Sequence, residues 1–482
     1  MSSIASATNV PAFRGSTIFR RLADEGLLVS MVAVFGTVLF ATAPYMLQPD
    51  SWLTFIGGRE IWTHGIPTHD SLAVLSHGQP WTDQQWLAQL ATYGLVAAVG
   101  IGVTIAINAL LVIVPFAYAC RLARRNASAR SVVVFAFLAI PFSFSALRAQ
   151  TISYVMYVPL FALLCAESRR PTRRVWLALP LLALWANLHG SVVVAALLVC
   201  LLGVLEFVQG MRRRGALLVV GAAASVLATP YGLSLLGYYH STMGNPLFKK
   251  YISEWAPPTF PSFVSVPFLL VAGIGLILIA RRPRHFTRFE IAALLVTFLG
   301  GLSAERSIVW FSYAALILLP SLLDRSWTPR PLRGHARALV GVVGGASIVL
   351  CTAAVAYGVS TGPRVTRSIY PPAALQAVRS ALAADPHARL LADDRTADWL
   401  LYELPQLRGR IAFDGRWEVL SRAQFQAARD YIKQAEPDPQ RFERGYTLFV
   451  VDPFWNKKLG RAYAASGFRV LYRGRRVAVY ER

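Results

Sequence analysis

The sequence predicts a polytopic α-helical membrane protein of about eleven transmembrane helices, followed by a C-terminal soluble α/β domain. Three observations predict this fold class. Hydrophobic residues make up 55% of the 482 residues and charged residues only 15%, whereas a soluble domain carries about 25% charged residues. Apolar runs recur through the first 360 residues, many of them approaching the roughly 20 residues that cross a bilayer as a helix. Clusters of arginine separate alternate runs.

The apolar runs define the predicted spans. Eleven runs can be read, near 27–47, 95–119, 131–147, 151–166, 175–188, 190–208, 215–230, 264–280, 289–303, 307–323 and 338–360. The first run is longer than the apolar core of a signal peptide, and more spans follow it without a convincing cleavage site. We therefore interpret it as the first span.

The arginine clusters predict the topology. Every second connection is rich in arginine, 22 residues in all, whereas the opposite connections hold five basic residues. Cytoplasmic loops carry the excess of Lys and Arg, so the N-terminal residues 1–26 are predicted to be cytoplasmic and the C-terminus to lie outside. The net charge of +23 is distributed over these short loops and not over one soluble module, which argues against a nucleic-acid binder.

Three segments are predicted on the outer side of the 27–360 membrane domain. They are a first loop at 48–94, a second loop at 231–263 and a tail at 361–482. In the tail, helices are predicted at 372–384, 397–404, 422–434 and 457–466, strands at 388–391, 410–413 and 447–451, and a hairpin at 468–480. This alternation predicts a small α/β domain that folds independently.

Acidic residues predict where any chemistry lies. No Asp or Glu falls in the middle of an apolar run, although an ion-coupled carrier usually needs an acid there. The acids on the outer side, in contrast, lie at span ends and in the first loop. The sequence therefore favours chemistry on the outer face over ion-coupled transport.

The first outer loop carries a resemblance to a known family. Asp50 directly follows span one, an aromatic interfacial stretch at 51–63 comes next, and then "HGIPTHD", "HGQPW" and an aromatic-rich helix leading into span two. This order resembles the first periplasmic loop of GT-C glycosyltransferases, most of all the bacterial transferases that use dolichyl- or polyprenyl-phosphate sugars. The likeness covers roughly residues 20–330.

The resemblance implies an integral enzyme of the bacterial inner membrane with a periplasmic C-terminal domain. Such an enzyme would move a sugar from a polyprenyl-phosphate-linked donor in the bilayer to a periplasmic glycan, lipid or protein acceptor. Two other hypotheses remain open: a carrier or flippase for lipid-linked sugars, and an O-antigen polymerase or ligase.

The predicted catalytic residues are Asp50 and Asp70. Transfer from a polyprenyl-phosphate sugar needs a carboxylate that takes the proton of the acceptor hydroxyl. Asp50 is the first choice for this base because a span end fixes it near the membrane surface; the alternative is a solvated acid that merely ends the helix. Asp70 is the second choice, and its alternative role is that of a turn acid.

The predicted substrate-binding residues lie in other outer turns. Arg148 and Arg306 are outward arginines next to the membrane, where a guanidinium could pair with phosphate or with lipid headgroups. Glu254 and Trp255 lie in the second outer loop, and His189 lies in the short turn between spans five and six.

No cofactor is predicted with certainty. The cysteines Cys120, Cys165, Cys200 and Cys351 all lie in or beside apolar runs, so no disulfide or thiolate metal site is expected. A cluster of His64, His69, Asp70 and His77 has irregular spacing. A divalent metal is therefore possible but not supported by the sequence.

Overall fold

Helices account for most of the chain in the computed structural model, which describes residues 17–143, 147–327, 334–436 and 438–482. The helices up to residue 281 are α1 (Thr17–Thr42), α2 (Pro49–His64), α3 (Trp86–Arg124), α4 (Ala129–Ser143), α5 (Gln150–Arg169), α6 (Ala178–Ala186), α7 (Val192–Val208), α8 (Arg212–Val226), α9 (Ser234–Met243), α10 (Pro246–Tyr251) and α11 (Ser265–Arg281). The later helices are α12 (Arg288–Ser303), α13 (Ile308–Leu318), α14 (Pro320–Ser326), α15 (Gly334–Ile369), α16 (Pro372–Ala384), α17 (Ala397–Glu403), α18 (Arg422–Ile432), α19 (Pro439–Glu443) and α20 (Lys457–Ala465).

Each predicted apolar run coincides with a helix, which confirms a multi-pass helical protein in outline. Within the described residues, four helices are long and apolar enough to cross a bilayer: Asp24–Met46, Trp86–Arg124, Gln150–Arg169 and Gly334–Ile369. A fifth span results if α13 and α14, which meet at a bend of 46°, are counted together. Shorter apolar helices make up much of the rest, so the number of about eleven spans stays a prediction.

Helices α1 and α15 run side by side in the same direction. Gly26 of α1 lies against Val340 near the start of α15, where an added Cβ would come within 2.5 Å of the Val340 carbonyl oxygen. Near the other end, Gly358 lies against Phe40. Because the contacts advance together along both helices, α1 and α15 begin at the same end of the bundle.

The arginine-rich connections meet at that end through ion pairs. These pairs are Arg124–Glu25, Arg337–Asp24, Arg214–Glu167, Arg214–Glu206 and Arg169–Glu290. Asp324 joins the same end by accepting hydrogen bonds from Ser128 and Ser131. The predicted cytoplasmic residues Arg14, Arg330 and Arg333 lie outside the described part of the chain. The pairs show that the loops which the sequence grouped by charge do share one face.

The C-terminal segment contains a four-stranded mixed sheet. Its strands are β1 (Leu390–Ala392), β2 (Leu448–Val451), β3 (Arg469–Arg473) and β4 (Ala478–Glu481), in the order β1-β2-β4-β3. β1 and β2 are parallel, whereas β4 is antiparallel to both β2 and β3. Most of the predicted tail elements appear within one or two residues of their expected bounds.

The predicted strand at 410–413 is different, because it forms single bridges and no regular strand. Ile411 bridges Leu390 of β1 on one side and Ala73 of the first outer loop on the other. The Val74 and Leu75 amides donate to the carbonyls of Ile411 and Ala412, at 2.8 and 3.0 Å. The segment is thus held between β1 and the first loop, and the loop adds an edge to the sheet.

The first outer loop and the C-terminal segment also share a hydrophobic core. Leu72 and Ala73 of the loop are buried with Leu390, Ile411 and Leu448 of the segment. Trp52 of α2 packs on the ring of Tyr402, with centroids 5.2 Å apart. The Arg59 guanidinium donates to the carbonyls of Leu401 and Tyr402. These contacts fix the C-terminal segment over the end of α2.

Candidate active site

A large cavity lies beneath the C-terminal segment, at the end of the bundle opposite the arginine-rich connections. Its volume is about 820 Å³. The membrane part contributes the start of α2, the turns after residues 147 and 188, the second outer loop and the start of α13, whereas the C-terminal segment contributes one wall. The cavity therefore lies between the two parts of the chain.

Six of the seven predicted site residues line this cavity. They are Asp50, Arg148, His189, Glu254, Trp255 and Arg306. They come from five separate stretches of sequence, and the fold brings them together. Asp70, the seventh, does not line the cavity.

Asp50 is positioned by the first turn of α2. Pro49 opens the helix, and a capping box joins Gln48 to Ser51. The Ser51 hydroxyl is buried and donates to the Leu147 carbonyl at 2.7 Å. With Ser51 held against the protein interior, the Asp50 side chain is left facing the cavity, where about half of it (53%) is exposed.

Arg148 links two carboxylates across the cavity floor. Its Nη1 donates to Glu254 Oε2 at 2.7 Å and lies 3.7 Å from Asp50 Oδ2. Enclosure in the cavity raises the pKa of the Asp50 carboxyl, while the Arg148 charge opposes that rise. Burial also acts to raise the pKa of Glu254, but Arg148 and then Arg306 outweigh it and the net shift is downward. Arg148 thus favours the ionised form of both acids.

Arg306 is held differently. Its guanidinium carbon lies 4.4 Å from the centre of the Trp255 ring, a cation–π contact. Among the described residues it has no carboxylate within ion-pair distance, in contrast to Arg148. Its planar set of N–H donors therefore remains available to an anion in the cavity, and a guanidinium matches phosphate in a bidentate manner.

His189 lines the cavity as a neutral imidazole. Nδ1 accepts a hydrogen bond from the Ser191 amide at 3.1 Å, which leaves the ring proton on Nε2. Burial, followed by the charges of Arg306 and Arg148, holds the pKa of His189 well below its usual value. The ring can therefore donate one hydrogen bond without adding charge.

Asp70 belongs to a buried network of hydrogen bonds and ion pairs outside the cavity. Oδ1 accepts from the Leu72 amide at 3.0 Å and from Arg416 Nη2 at 2.7 Å, and Oδ2 accepts from the Ser76 hydroxyl at 2.5 Å. Only 2% of the residue is exposed. The structure thus joins Asp70 to the C-terminal segment and keeps it away from the other predicted residues.

The C-terminal segment supplies cavity residues beyond the seven predicted site residues; of these, only Asp394 stands out in the sequence, as an acid directly after a predicted strand. The cavity wall on this side includes Asp394, Arg395, Gly415, Trp417, Glu418 and Arg429. The pattern "AFDGRWEVL" marks a loop after an expected strand, but nothing in it distinguishes Glu418 from a surface acid. Within the described residues, no group of three or more His, Cys, Asp or Glu side chains is arranged to hold a metal ion.

Comparison with known proteins gives the fold of the chain. No protein-family model matches the sequence, and no curated protein does either. Among solved structures, the chain is similar to ArnT from Cupriavidus metallidurans, crystallised with undecaprenyl phosphate, at a TM-score of 0.50 and 18% identity. The match covers 94% of this chain and 98% of that one. The chain therefore has the fold of ArnT, which is the GT-C fold that the first outer loop resembles in sequence.

A second solved structure matches less closely. It is the archaeal oligosaccharyltransferase AglB from Archaeoglobus fulgidus, in complex with an inhibitory peptide and a dolichol-phosphate. The TM-score is 0.45 at 12% identity, and the match covers 90% of this chain and 70% of that chain.

Proposed function

We propose that this protein transfers a sugar from a polyprenyl-phosphate-linked donor to an acceptor on the periplasmic side of the bacterial inner membrane. The observation that carries the proposal is the convergence of one carboxylate, Asp50, and one unengaged guanidinium, Arg306, on a single cavity. Such a reaction needs a base for the acceptor and a cation for the leaving phosphate. ArnT, which shares the fold, was crystallised with undecaprenyl phosphate, a lipid of the proposed donor class.

In the proposed reaction Asp50 is the catalytic base. The Asp50 carboxylate takes the proton of an acceptor hydroxyl as that oxygen attacks the anomeric carbon of the donor sugar. The bond between this carbon and the phosphate oxygen breaks, and its electron pair stays on the phosphate. Attack opposite the leaving group inverts the anomeric configuration. The reaction gives the glycosylated acceptor, polyprenyl phosphate and a protonated Asp50 that returns its proton to water.

The two arginines have separate roles in this proposal. Arg306 binds the donor phosphate and stabilises the charge that it gains as the bond breaks. Arg148 keeps Asp50 ionised and is oriented by Glu254. Trp255 orients Arg306 by cation–π contact, and the neutral His189 donates a hydrogen bond to a bound substrate. Asp70 acts at a distance, through Arg416, by positioning the C-terminal wall.

The test is turnover by purified protein in phospholipid nanodiscs with a panel of radiolabelled undecaprenyl-phosphate sugars. Asp50→Asn should lower transfer by about 10²–10⁴-fold, as expected for loss of a general base, and should leave binding of undecaprenyl phosphate unchanged. Asp385→Asn, which changes an exposed acid remote from the cavity, is the matched control. A carrier would be nearly indifferent to Asp50→Asn. Retention of more than about a tenth of wild-type turnover would contradict the base assignment.

A further inference from the structure

The loop at 414–419 of the C-terminal segment forms the cavity wall on the side away from the bundle. Gly415, Trp417 and Glu418 of this loop all line the cavity, together with Asp50 of α2. Burial raises the pKa of Glu418, its own amide and the Arg416 charge oppose that rise, and Asp414 and Asp50 add to it. The loop therefore presents a further carboxylate to the cavity in which the proposed base lies.

Glu418 differs from the other acids of the cavity in having no ion-pair partner among the described residues. Asp50 and Glu254 lie beside Arg148, and Asp394 pairs with Arg429 at 2.5 Å. In the described part of the chain, the Glu418 side chain bonds to no other residue, although it is half-buried. Its own backbone amide and the charge of Arg416 favour the ionised form, but no bond to another residue gives this carboxylate a structural role.

The loop that carries Glu418 is held rigidly. Arg416, only 2% exposed, donates to Asp414 at 3.0 Å and to Asp70 at 2.7 Å, and its guanidinium carbon lies 4.2 Å from the centre of the Trp81 ring. The Gly415 amide donates to Asp398 at 3.0 Å, and a Cβ at residue 415 would lie 2.6 Å from an Asp398 oxygen. The backbone that carries Glu418 is therefore held in place, and a ligand has to order only the side chain.

We propose that Glu418 binds the acceptor, and that the acceptor is a neutral, hydroxyl-rich molecule such as a sugar. This inference rests on the proposed function, because it uses the same cavity. A carboxylate accepts hydrogen bonds from two neighbouring hydroxyl groups at once, which suits a sugar ring whose remaining hydroxyl reaches Asp50. Trp417 and Tyr238, both in the cavity wall, add aromatic side chains to the part of the cavity that would hold the ring. Burial raises the pKa of Glu418 to about 7, and both protonation states hydrogen-bond to hydroxyls.

The experiment measures binding without turnover. The full chain is placed in phosphatidylcholine nanodiscs, because sugar-based detergents would compete, and is titrated with the methyl glycosides of glucose, galactose, mannose and N-acetylglucosamine. Tryptophan fluorescence is the readout, since Trp255, Trp310 and Trp417 line the cavity. Wild-type protein should bind at least one glycoside saturably. Glu418→Ala should weaken that binding by about tenfold or more, the scale of a hydrogen bond to a charged group.

Control variants separate this role from a folding defect. Glu418→Gln should lose less affinity than Glu418→Ala, because its amide still bonds to hydroxyls, and Glu481→Gln on β4, outside the cavity wall, should bind as wild type does. Both Glu418 variants should bind undecaprenyl phosphate normally. The inference is overturned if no glycoside binds to the wild type, if Glu418→Ala binds as wild type does, or if both Glu418 variants also lose undecaprenyl phosphate. Glycoside binding that depends on Glu418, in a protein that shows no transfer, would instead contradict the proposed function.

Discussion

At the scale of single residues, the two arginines of the cavity show how the same side chain can serve different purposes. Arg148 donates through Nη1 to Glu254, and the same nitrogen lies 3.7 Å from an Asp50 oxygen. Arg306 rests on an aromatic ring and keeps its donors open to the cavity. Arg148 lowers the pKa of a neighbouring acid, whereas Arg306 is placed to bind an anion that enters the cavity.

The pH dependence of the reaction should report on Arg148. Arg148 lowers the pKa of Asp50 against the effect of burial, and the base is active only when ionised. Arg148→Gln removes this lowering, so the Asp50 pKa should rise and the acidic limb of the profile of kcat/KM against pH should move to higher pH.

Arg306→Gln is the control for this measurement. The charge of Arg306 affects the pKa of Asp50 less than the charges of Arg148 and Glu254 do. Its removal should weaken the binding of undecaprenyl phosphate and shift the acidic limb less. An acidic limb that stays in place in Arg148→Gln would mean that Asp50 is not the group that titrates in turnover.

At the scale of secondary-structure elements, the buried Arg416 network joins the first outer loop to the C-terminal wall. Asp70 comes from the loop, Asp414 and Arg416 from the segment, and Trp81 covers the guanidinium. The network lies where the first outer loop pairs with the chain at Ile411 and adds an edge to the sheet. Because the same segment carries Glu418, changes in this network should act on the cavity indirectly.

Asp70→Asn should therefore destabilise the protein more than it alters the chemistry. Removing one partner of a buried ion pair typically costs about 3–5 kcal/mol, and Arg416 would keep only Asp414. We expect the thermal unfolding midpoint in nanodiscs to fall by several degrees, whereas Asp50→Asn leaves it unchanged.

The remaining activity of Asp70→Asn distinguishes the two roles predicted for Asp70. A positioning residue leaves substantial transfer, with the acidic limb of the pH profile unmoved. If Asp70→Asn loses all transfer while its unfolding midpoint is unchanged, Asp70 and not Asp50 would be assigned as the base.

Six of the residues predicted from the sequence line one cavity, and the signal that singles out those beside the membrane is local. A charged residue beside an apolar run is costly, so outward residues such as Arg148 and Arg306 stand out in the sequence. Glu418 gave no such signal, because it lies in a segment of ordinary soluble composition. Its position depends on pairing between the chain near residue 73 and the chain near residue 411, and no local pattern reveals a contact so distant in sequence.

The same distant pairing bears on the tail, which was expected to fold alone. Leu72 and Ala73 of the first loop complete a core that includes Leu390 and Ile411, and the Gly409 amide donates to the Leu72 carbonyl at 2.8 Å. The segment without the loop would expose this apolar surface and lose an edge of its sheet. The structure thus argues that the tail and the first loop fold as one unit.

At the scale of the whole molecule, the cavity and the arginine-rich connections occupy opposite ends. The parallel course of α1 and α15 places the starts of both at the arginine-rich end, joined by Arg337 and Asp24. From the start of α1 to the start of α15, the chain must therefore cross the bundle an even number of times. This parity agrees with the alternation of arginine in the sequence.

The orientation in the membrane follows from the same asymmetry and is open to direct test. Positive residues are retained in the cytoplasm, so the arginine-rich end should be cytoplasmic and the cavity with its C-terminal wall periplasmic. Alkaline phosphatase fused after Arg482 should be active, because it folds after export. A fluorescent protein fused there should be dark, because it does not become fluorescent when it is exported in an unfolded state. Fusions after Gly210, in an arginine-rich connection, should give the reverse pattern. Fluorescence from the fusion after Arg482 would place the cavity in the cytoplasm, where the proposed periplasmic acceptor could not reach Asp50.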